Sequence, residues 1–149
     1  MRSVWMMLLC VGIVGKIAAQ EQPRVHFNHA ALFVMDLSAT RHFYSDVIGL
    51  DTIQEPFKDG KHIWYTIGVH NQLHIIAGAT TAKEYYKNQH LCFSVPDFNA
   101  FVEKLKTLHI KYEDVKGSVG AVTVRVDGIH QLWLQDPDGY WVEINDDRY

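Results

Sequence analysis

Cysteine is nearly missing from this chain: only Cys10 and Cys92 occur. Cys10 lies in an N-terminal apolar run, so the folded domain is left with one thiol, cannot form an internal disulfide, and must be held by its core. Proline is scarce as well, at four residues, and no low-complexity stretch interrupts the sequence. Blocks of like charge are absent. With 14 basic against 17 acidic residues and a formal net charge of −3, nucleic acid is not an expected partner. Long hydrophobic runs are lacking too. The longest, Val4 to Gly15, is twelve residues, short of the roughly 20 that cross a bilayer, so no stable membrane anchor is expected.

What is present is 149 residues, 48% of them hydrophobic and 12% aromatic, enough for one globular domain. Arg2 precedes the apolar run, and Lys16-Ile17-Ala18-Ala19-Gln20 follows it, the pattern of a secretory signal peptide over residues 1–20. The protein is therefore expected to be exported after cleavage near Ala19 or Gln20, leaving a domain over 21–149. Losing Arg2 and Lys16 sets twelve bases against seventeen acids, a charge of −5.

The domain repeats itself. At an offset of 61, His29-Ala-Ala-Leu-Phe-Val-Met-Asp-Leu-Ser-Ala39 aligns with His90-Leu-Cys-Phe-Ser-Val-Pro-Asp-Phe-Asn-Ala100. At an offset of 69, Trp64 meets Trp133, Leu73 meets Val142, His74 meets Glu143 and Ile75 meets Ile144. Two modules, 25–79 and 89–147, are implied. Each opens with an apolar strand, Val25 to Val34 and His90 to Val95. A capped helix follows each. The first starts near Asp36 or Ser38, turns Leu37, Tyr44, Val47 and Ile48 inward and stops at Gly49; the second is capped by Asp97 and buries Phe98, Phe101, Leu105 and Leu108. Turn signals, ending with Asp136-Pro137-Asp138-Gly139, then break the chain into short strands. The expected plan is α+β: two tandem βαβββ modules forming a cupped, barrel-like mixed sheet with helices packed outside. Residues 80–88 form the linker, where Ala-Lys-Glu-Tyr-Tyr suggests a short helix.

Strand alternation sorts the polar residues by face. Leu91, Phe93 and Val95 face the helix layer, which puts His90, Cys92 and Ser94 on the concave face. Val142 and Ile144 likewise leave Glu143 and Asn145 opposite the core, and Leu73 and Ile75 flank His74 in the same sense. His29 shares its face with Phe27, Ala31 and Phe33. His29, His74, His90 and Glu143 are thus candidate ligands, one pair from each module, with nitrogen and oxygen donors suited to one divalent metal such as Zn, Fe(II), Mn, Ni or Co. Gln131 and Trp133 share a face, with Trp64 as the repeat partner of Trp133, so both indoles are candidate walls of a pocket. Arg125 alternates with Val124 and Val126 and is a candidate for a forked contact to a substrate carboxylate or phosphate. The remaining histidines lack repeat partners and are expected at the surface or in support, with His62, on the face of Trp64, closest to the site.

Asn28-His29, His90-Leu-Cys-Phe-Ser-Val-Pro-Asp97 and Gln135-Asp-Pro-Asp-Gly-Tyr-Trp-Val-Glu143 together resemble the vicinal oxygen chelate superfamily, the fold of glyoxalases, fosfomycin-resistance proteins and extradiol dioxygenases. The resemblance covers residues 25–147. It implies metal ligation by His29, His90 and Glu143, and places His74 where glyoxalases carry a fourth ligand, usually Glu. It also implies a small-molecule substrate and a homodimer, in some relatives with the site shared between chains.

Fold alone does not set the reaction. In a glyoxalase-like reading Glu143 moves the proton, but Phe33 stands where that family binds glutathione through arginine. Fosfomycin-type thiol transfer wants a hydroxyl where Ala31 stands and tyrosine where Trp133 stands. Extradiol cleavage wants a hydrophobic-Tyr pair where Leu132-Trp133 stands, and an upstream histidine near Arg125. The reading that results is a metal-dependent lyase or isomerase chelating a small oxygen-rich substrate. The alternatives are an extradiol-type dioxygenase and a ligand-sequestering protein of the bleomycin-resistance kind.

Overall fold

The computed structural model describes residues 24–148; the expected signal peptide lies outside the described residues. Two four-stranded mixed sheets carry the fold. The first contains β1 (His29–Val34), β2 (Thr52–Ile53), β3 (His62–Thr66) and β4 (Gln72–Ala77), in the order β1-β4-β3-β2. The second contains β5 (His90–Ser94), β6 (Thr123–Val124), β7 (His130–Gln135) and β8 (Trp141–Asn145), in the order β5-β8-β7-β6. In each, the outer pair (β1 with β4, β5 with β8) is parallel and the other pairings are antiparallel. The sheets are cupped but separate, so the barrel-like arrangement is not a closed barrel.

The internal repeat survives as register. Ala31 pairs with His74 and His74 with Trp64; in the second sheet Cys92 pairs with Glu143 and Glu143 with Trp133. The offsets of 61 and 69 are therefore two copies of one cross-strand triple.

The elements form for local reasons. Helix α1 (Leu37–Arg41) is capped by Asp36, whose Oδ1 accepts from the N–H groups of Ser38 (2.8 Å) and Ala39 (3.0 Å), a cap worth about 1 kcal/mol. It continues as a π-helical segment, His42–Ile48, that stops at Gly49. Gly49 takes a left-handed φ of 94°, and Tyr44 O accepts from the N–H groups of both Gly49 (3.1 Å) and Leu50 (2.8 Å). Helix α2 (Phe98–Thr107) is capped by Asp97 and buries Phe98, Phe101, Val102 and Leu105, the spacing of a helical stripe. Leu108 was expected on that stripe. It is exposed instead, because the helix ends at Thr107 and the chain turns through His109 at φ 54°.

Two further expectations are corrected. Strand β1 begins at His29, not Val25, since its partner β4 begins at Gln72 and earlier residues have no ladder to join. The 82–86 run is not helical. Tyr85 O accepts from Trp141 Nε1 (2.9 Å), and the Tyr85 ring stacks on Tyr140 at 4.2 Å, which commits that carbonyl to β8 and denies it to a helix.

Leu32, Val34, Tyr44, Tyr65, Leu73, Ile75, Leu105, Leu132, Leu134, Val142 and Ile144 belong to one core spanning both modules. The Asp136-Pro137-Asp138-Gly139 turn reinforces that union. Asp136 Oδ1 accepts from the N–H groups of Asp138 and Tyr140, both at 2.9 Å, and its Oδ2 accepts from Tyr44 OH at 3.1 Å. Asp138 receives the Met35 N–H (2.7 Å) and the Thr40 hydroxyl (3.2 Å). Both carboxyl groups are buried. The turn between β7 and β8 thus ties the second module to the chain entering the first module's helix, where Asp138 accepts from Met35 and Thr40. Gly139 must stay bare there: its φ is 88°, and a Cβ would meet Lys83 O at 3.3 Å.

Candidate metal centre

Alternation along the four ligand-bearing strands resolves the faces. Leu32 and Val34 are buried, leaving His29, Ala31 and Phe33 on the exposed side of β1. Leu73 and Ile75 are buried around a half-buried His74, while His90 and Cys92 lie opposite Leu91 and Phe93 on β5.

In the second sheet, His90 Nε2 lies 3.1 Å from Glu143 Oε2. His90 Nδ1 faces the Lys87 carbonyl at 2.8 Å. A carbonyl only accepts, so Nδ1 carries the proton and Nε2 is the nitrogen turned toward Glu143. The 3.1 Å approach of Nε2 to the carboxylate requires either a proton or a shared cation between them. Glu143 is 7% exposed, and its Oε1 accepts from Asn145 Nδ2 at 3.1 Å. The same amide lies 3.1 Å from Cys92 Sγ. Burial of the sulfur, then the Glu143 charge, push the Cys92 thiol up to about 12. Cys92 is exposed as a residue on an edge strand, yet its sulfur is desolvated between Glu143 and Asn145 and stays a neutral thiol rather than a nucleophile.

In the first sheet three rings form a ladder. Trp64 lies flat on His74 (3.9 Å, 2°), and His74 lies flat on His29 (4.2 Å, 12°). His29 Nδ1 donates to Asn28 Oδ1 (2.7 Å) and His74 Nε2 to Gln72 Oε1 (2.8 Å), so Nε2 of His29 and Nδ1 of His74 keep their lone pairs. Burial, followed by the neighbouring His29 and His62, lowers the pKa of His74, which favours the neutral, ligating form. Phe57 covers this end, 4.6 Å from His62 and 6.1 Å from Trp64. His62 is held by Asp59 at 2.9 Å and supports the ladder from outside the ligand set.

The four expected ligands are therefore brought together as two pairs. Among the described residues no group of three or more His, Cys, Asp or Glu side chains gathers closely enough to hold a metal. Chemically the donors fit a borderline divalent cation; spatially one chain presents them as half-sets.

The pocket residues fall as follows. Trp133 is buried and stands edge-on to His90 at 6.3 Å. Its indole N–H and that of Trp64 are both buried without a protein hydrogen-bond partner, an uncommon cost that occurs here at repeat-equivalent positions. Gln131 is buried on β7, whereas Phe33 is half exposed on β1. Arg125 follows β6 and is engaged by Asp127 and, at 4.0 Å, by Asp147. Sequence reasoning missed the supporting groups Asn145, Lys87, Asn28 and Gln72. Asn145 was within reach, being two residues from Glu143 on the same face; the Lys87 contribution is a backbone carbonyl and leaves no trace in residue type.

Two mixed sheets, each with a parallel edge pair and the second repeating the register of the first, define a tandem βαβββ protein. The model of the Glyoxalase/Bleomycin resistance protein/Dioxygenase superfamily matches residues 26–144, and the chain belongs to that superfamily. Among curated relatives, a lactoylglutathione lyase of Pseudomonas aeruginosa is 28% identical, with 79% of this chain and 80% of the relative covered. Among solved structures, the oxidase ChaP-H2 superposes with a TM-score of 0.68 at 23% identity, covering 84% of this chain and 95% of that one. A lactoylglutathione lyase from Agrobacterium tumefaciens superposes with a TM-score of 0.60 at 21% identity, covering 83% and 95%.

Proposed function

We propose that the protein is an exported, metal-dependent enzyme of this superfamily, with lyase or isomerase chemistry on a small oxygen-rich substrate. The observation that carries the reading is the pair of half-sets: His29 with His74, and His90 with Glu143, each on its own sheet with supporting hydrogen bonds that leave ligating atoms free. Neither half suffices for a catalytic site with three or four protein ligands. A homodimer in which the first sheet of one chain faces the second sheet of its partner supplies the whole set twice.

A divalent ion held by these residues supplies Lewis acidity toward substrate oxygens. The chain's own groups do the rest. Glu143, with Oε1 anchored by Asn145, is the group to take a substrate proton and return it elsewhere. Trp64 and Trp133 wall the pocket and exclude water. Phe33 makes the rim apolar where glutathione-dependent relatives carry arginine, so the substrate is a compact molecule other than a glutathione adduct. Gln131, buried on β7, is the group to meet its polar end.

Mixed dimers test this reading. His29→Ala and Glu143→Ala homodimers should each lose tight Zn2+ binding in calorimetry. Heterodimers formed from the two should recover one site per dimer, because one interface then combines two intact halves. Metal-free protein that still binds small ligands tightly would replace the enzyme by a sequestering protein, and variants that bind metal as well as the parent would remove the ligand assignment.

A further inference from the structure

Past its bridge to Glu113 the second sheet has an open edge. Strand β6 covers β7 only at His130 and Gln131, and Glu113 meets Trp133 through backbone hydrogen bonds of 2.8 and 2.9 Å. Among the described residues no strand lies beside Leu134 and Gln135 on the side away from β8. The chain that would continue the pairing is drawn off toward α2: His109 takes a φ of 54°, and the Ile110 N–H donates to Leu105 O at 2.9 Å. A cleft of about 440 Å³ results, the size of a small-molecule site. None of His29, His74, His90 and Glu143 lines it.

The lining is divided in chemistry. Phe43, Tyr112 and Leu134 are buried and give it an apolar floor. Trp133 forms one wall; it is 4% exposed, and its indole N–H has no protein partner. A buried donor without an acceptor is costly, and an ionised oxygen is the strongest acceptor it can receive. The charges agree with that choice. Glu113 is the one carboxylate in the lining, and it is neutralised by Lys87, on the 80–88 strap that joins the modules. The Lys87 ammonium lies 4.9 Å from the Trp141 ring centre and 5.9 Å from that of Trp133, beside two walls of the cleft. Lys111 and His109 stand at its exposed end, and neither is in an ion pair with a described residue. The surroundings therefore attract an anion.

We propose that this cleft binds a compact carboxylate with an apolar body, the body against Phe43, Tyr112 and Leu134 and a carboxylate oxygen accepting from Trp133 Nε1. The site is separate from the metal half-set on the same sheet and shares with it only the Trp133 wall, which stands edge-on to His90 at 6.3 Å. The test uses the full chain stripped of metal by a chelator and dialysed, so its outcome does not depend on the metal reading. The probes are 3-phenylpropanoate, its amide and the corresponding amine. Calorimetry should show one saturable site for the acid, binding of the amide at least about tenfold weaker, and none of the amine. The Trp133 indole N–H resonance, assigned by its loss in Trp133→Phe, should move downfield as the acid is added. Trp133→Phe keeps an aromatic wall without the donor and should weaken binding about tenfold. Lys111→Glu should weaken it about fivefold at low salt, and Val119→Trp, which fills the cleft, should abolish it. The inference falls if the acid does not saturate, if acid and amide bind alike, or if the indole resonance stays in place while the acid binds. It falls equally if Lys111→Glu and Val119→Trp bind the acid as the parent does. Lys111→Glu changes an exposed residue and decides the matter should either tryptophan-site variant fail to fold.

Discussion

Asp136 offers the sharpest test of the energetics. It is 5% exposed, and burial is the main cause that pushes its carboxyl from 3.8 up to about 6, against the opposing hydrogen bonds of Tyr140, Asp138 and Tyr44. A raised carboxyl means the fold prefers the protonated form. The stabilisation is fully present below the unfolded value near 3.8 and is lost as pH rises through about 6. At 1.36 kcal/mol per pH unit, the roughly two units between those values amount to about 3 kcal/mol forfeited by neutral pH. Asp136→Asn reproduces the neutral shape: its oxygen can accept from Asp138 and Tyr140, and its NH2 can donate to the Tyr44 oxygen. Urea unfolding at a series of pH values from about 4 to 7 should therefore show the variant matching the parent in acid and exceeding it by about 3 kcal/mol at neutrality. Asp59, Asp114, Asp127 and Asp146 are shifted downward and lose stabilisation as pH falls, but they are common to both proteins and cancel in the difference. A difference that stays flat across the range would refute the argument, as would a variant destabilised most at neutral pH.

Other consequences are simpler to check. Asn145→Ala should lower stability by about 1–3 kcal/mol in urea unfolding, since it strips a donor from buried Glu143, and should weaken Zn2+ binding at least tenfold by calorimetry; an unchanged affinity would show that Glu143 orients itself. Gly49→Ala meets nothing within 4 Å of the new Cβ, yet φ is 94°, so a loss of about 1–2 kcal/mol from backbone strain alone is expected in thermal melts, with metal affinity unaltered.

The duplication, both caps, the Gly49 stop and the facing of His74, His90 and Glu143 were legible in the sequence, because they follow from periods of 2 and 3.6 residues and from local hydrogen-bond chemistry. The distance between half-sets was not. Alternation assigns a side chain to a face but carries no information about how one sheet is rotated against another, so four residues on matching faces resolve into two separated pairs. Arg125 shows the same limit: its alternation pointed to a cavity, while Asp127 and Asp147, close by in the fold, engage it. The strap was misread because Tyr-Tyr and Lys have acceptable helix propensity, and the Trp141 and Glu113 contacts that override it come from distant sequence.

The buried turn at 136–139 has a final implication. Because its carboxyl groups are satisfied by Met35, Thr40 and Tyr44 of the other half, the covalent tether near residue 80 contributes proximity rather than recognition. Cleaved there, the two polypeptides should remain associated and, once separated, find one another again.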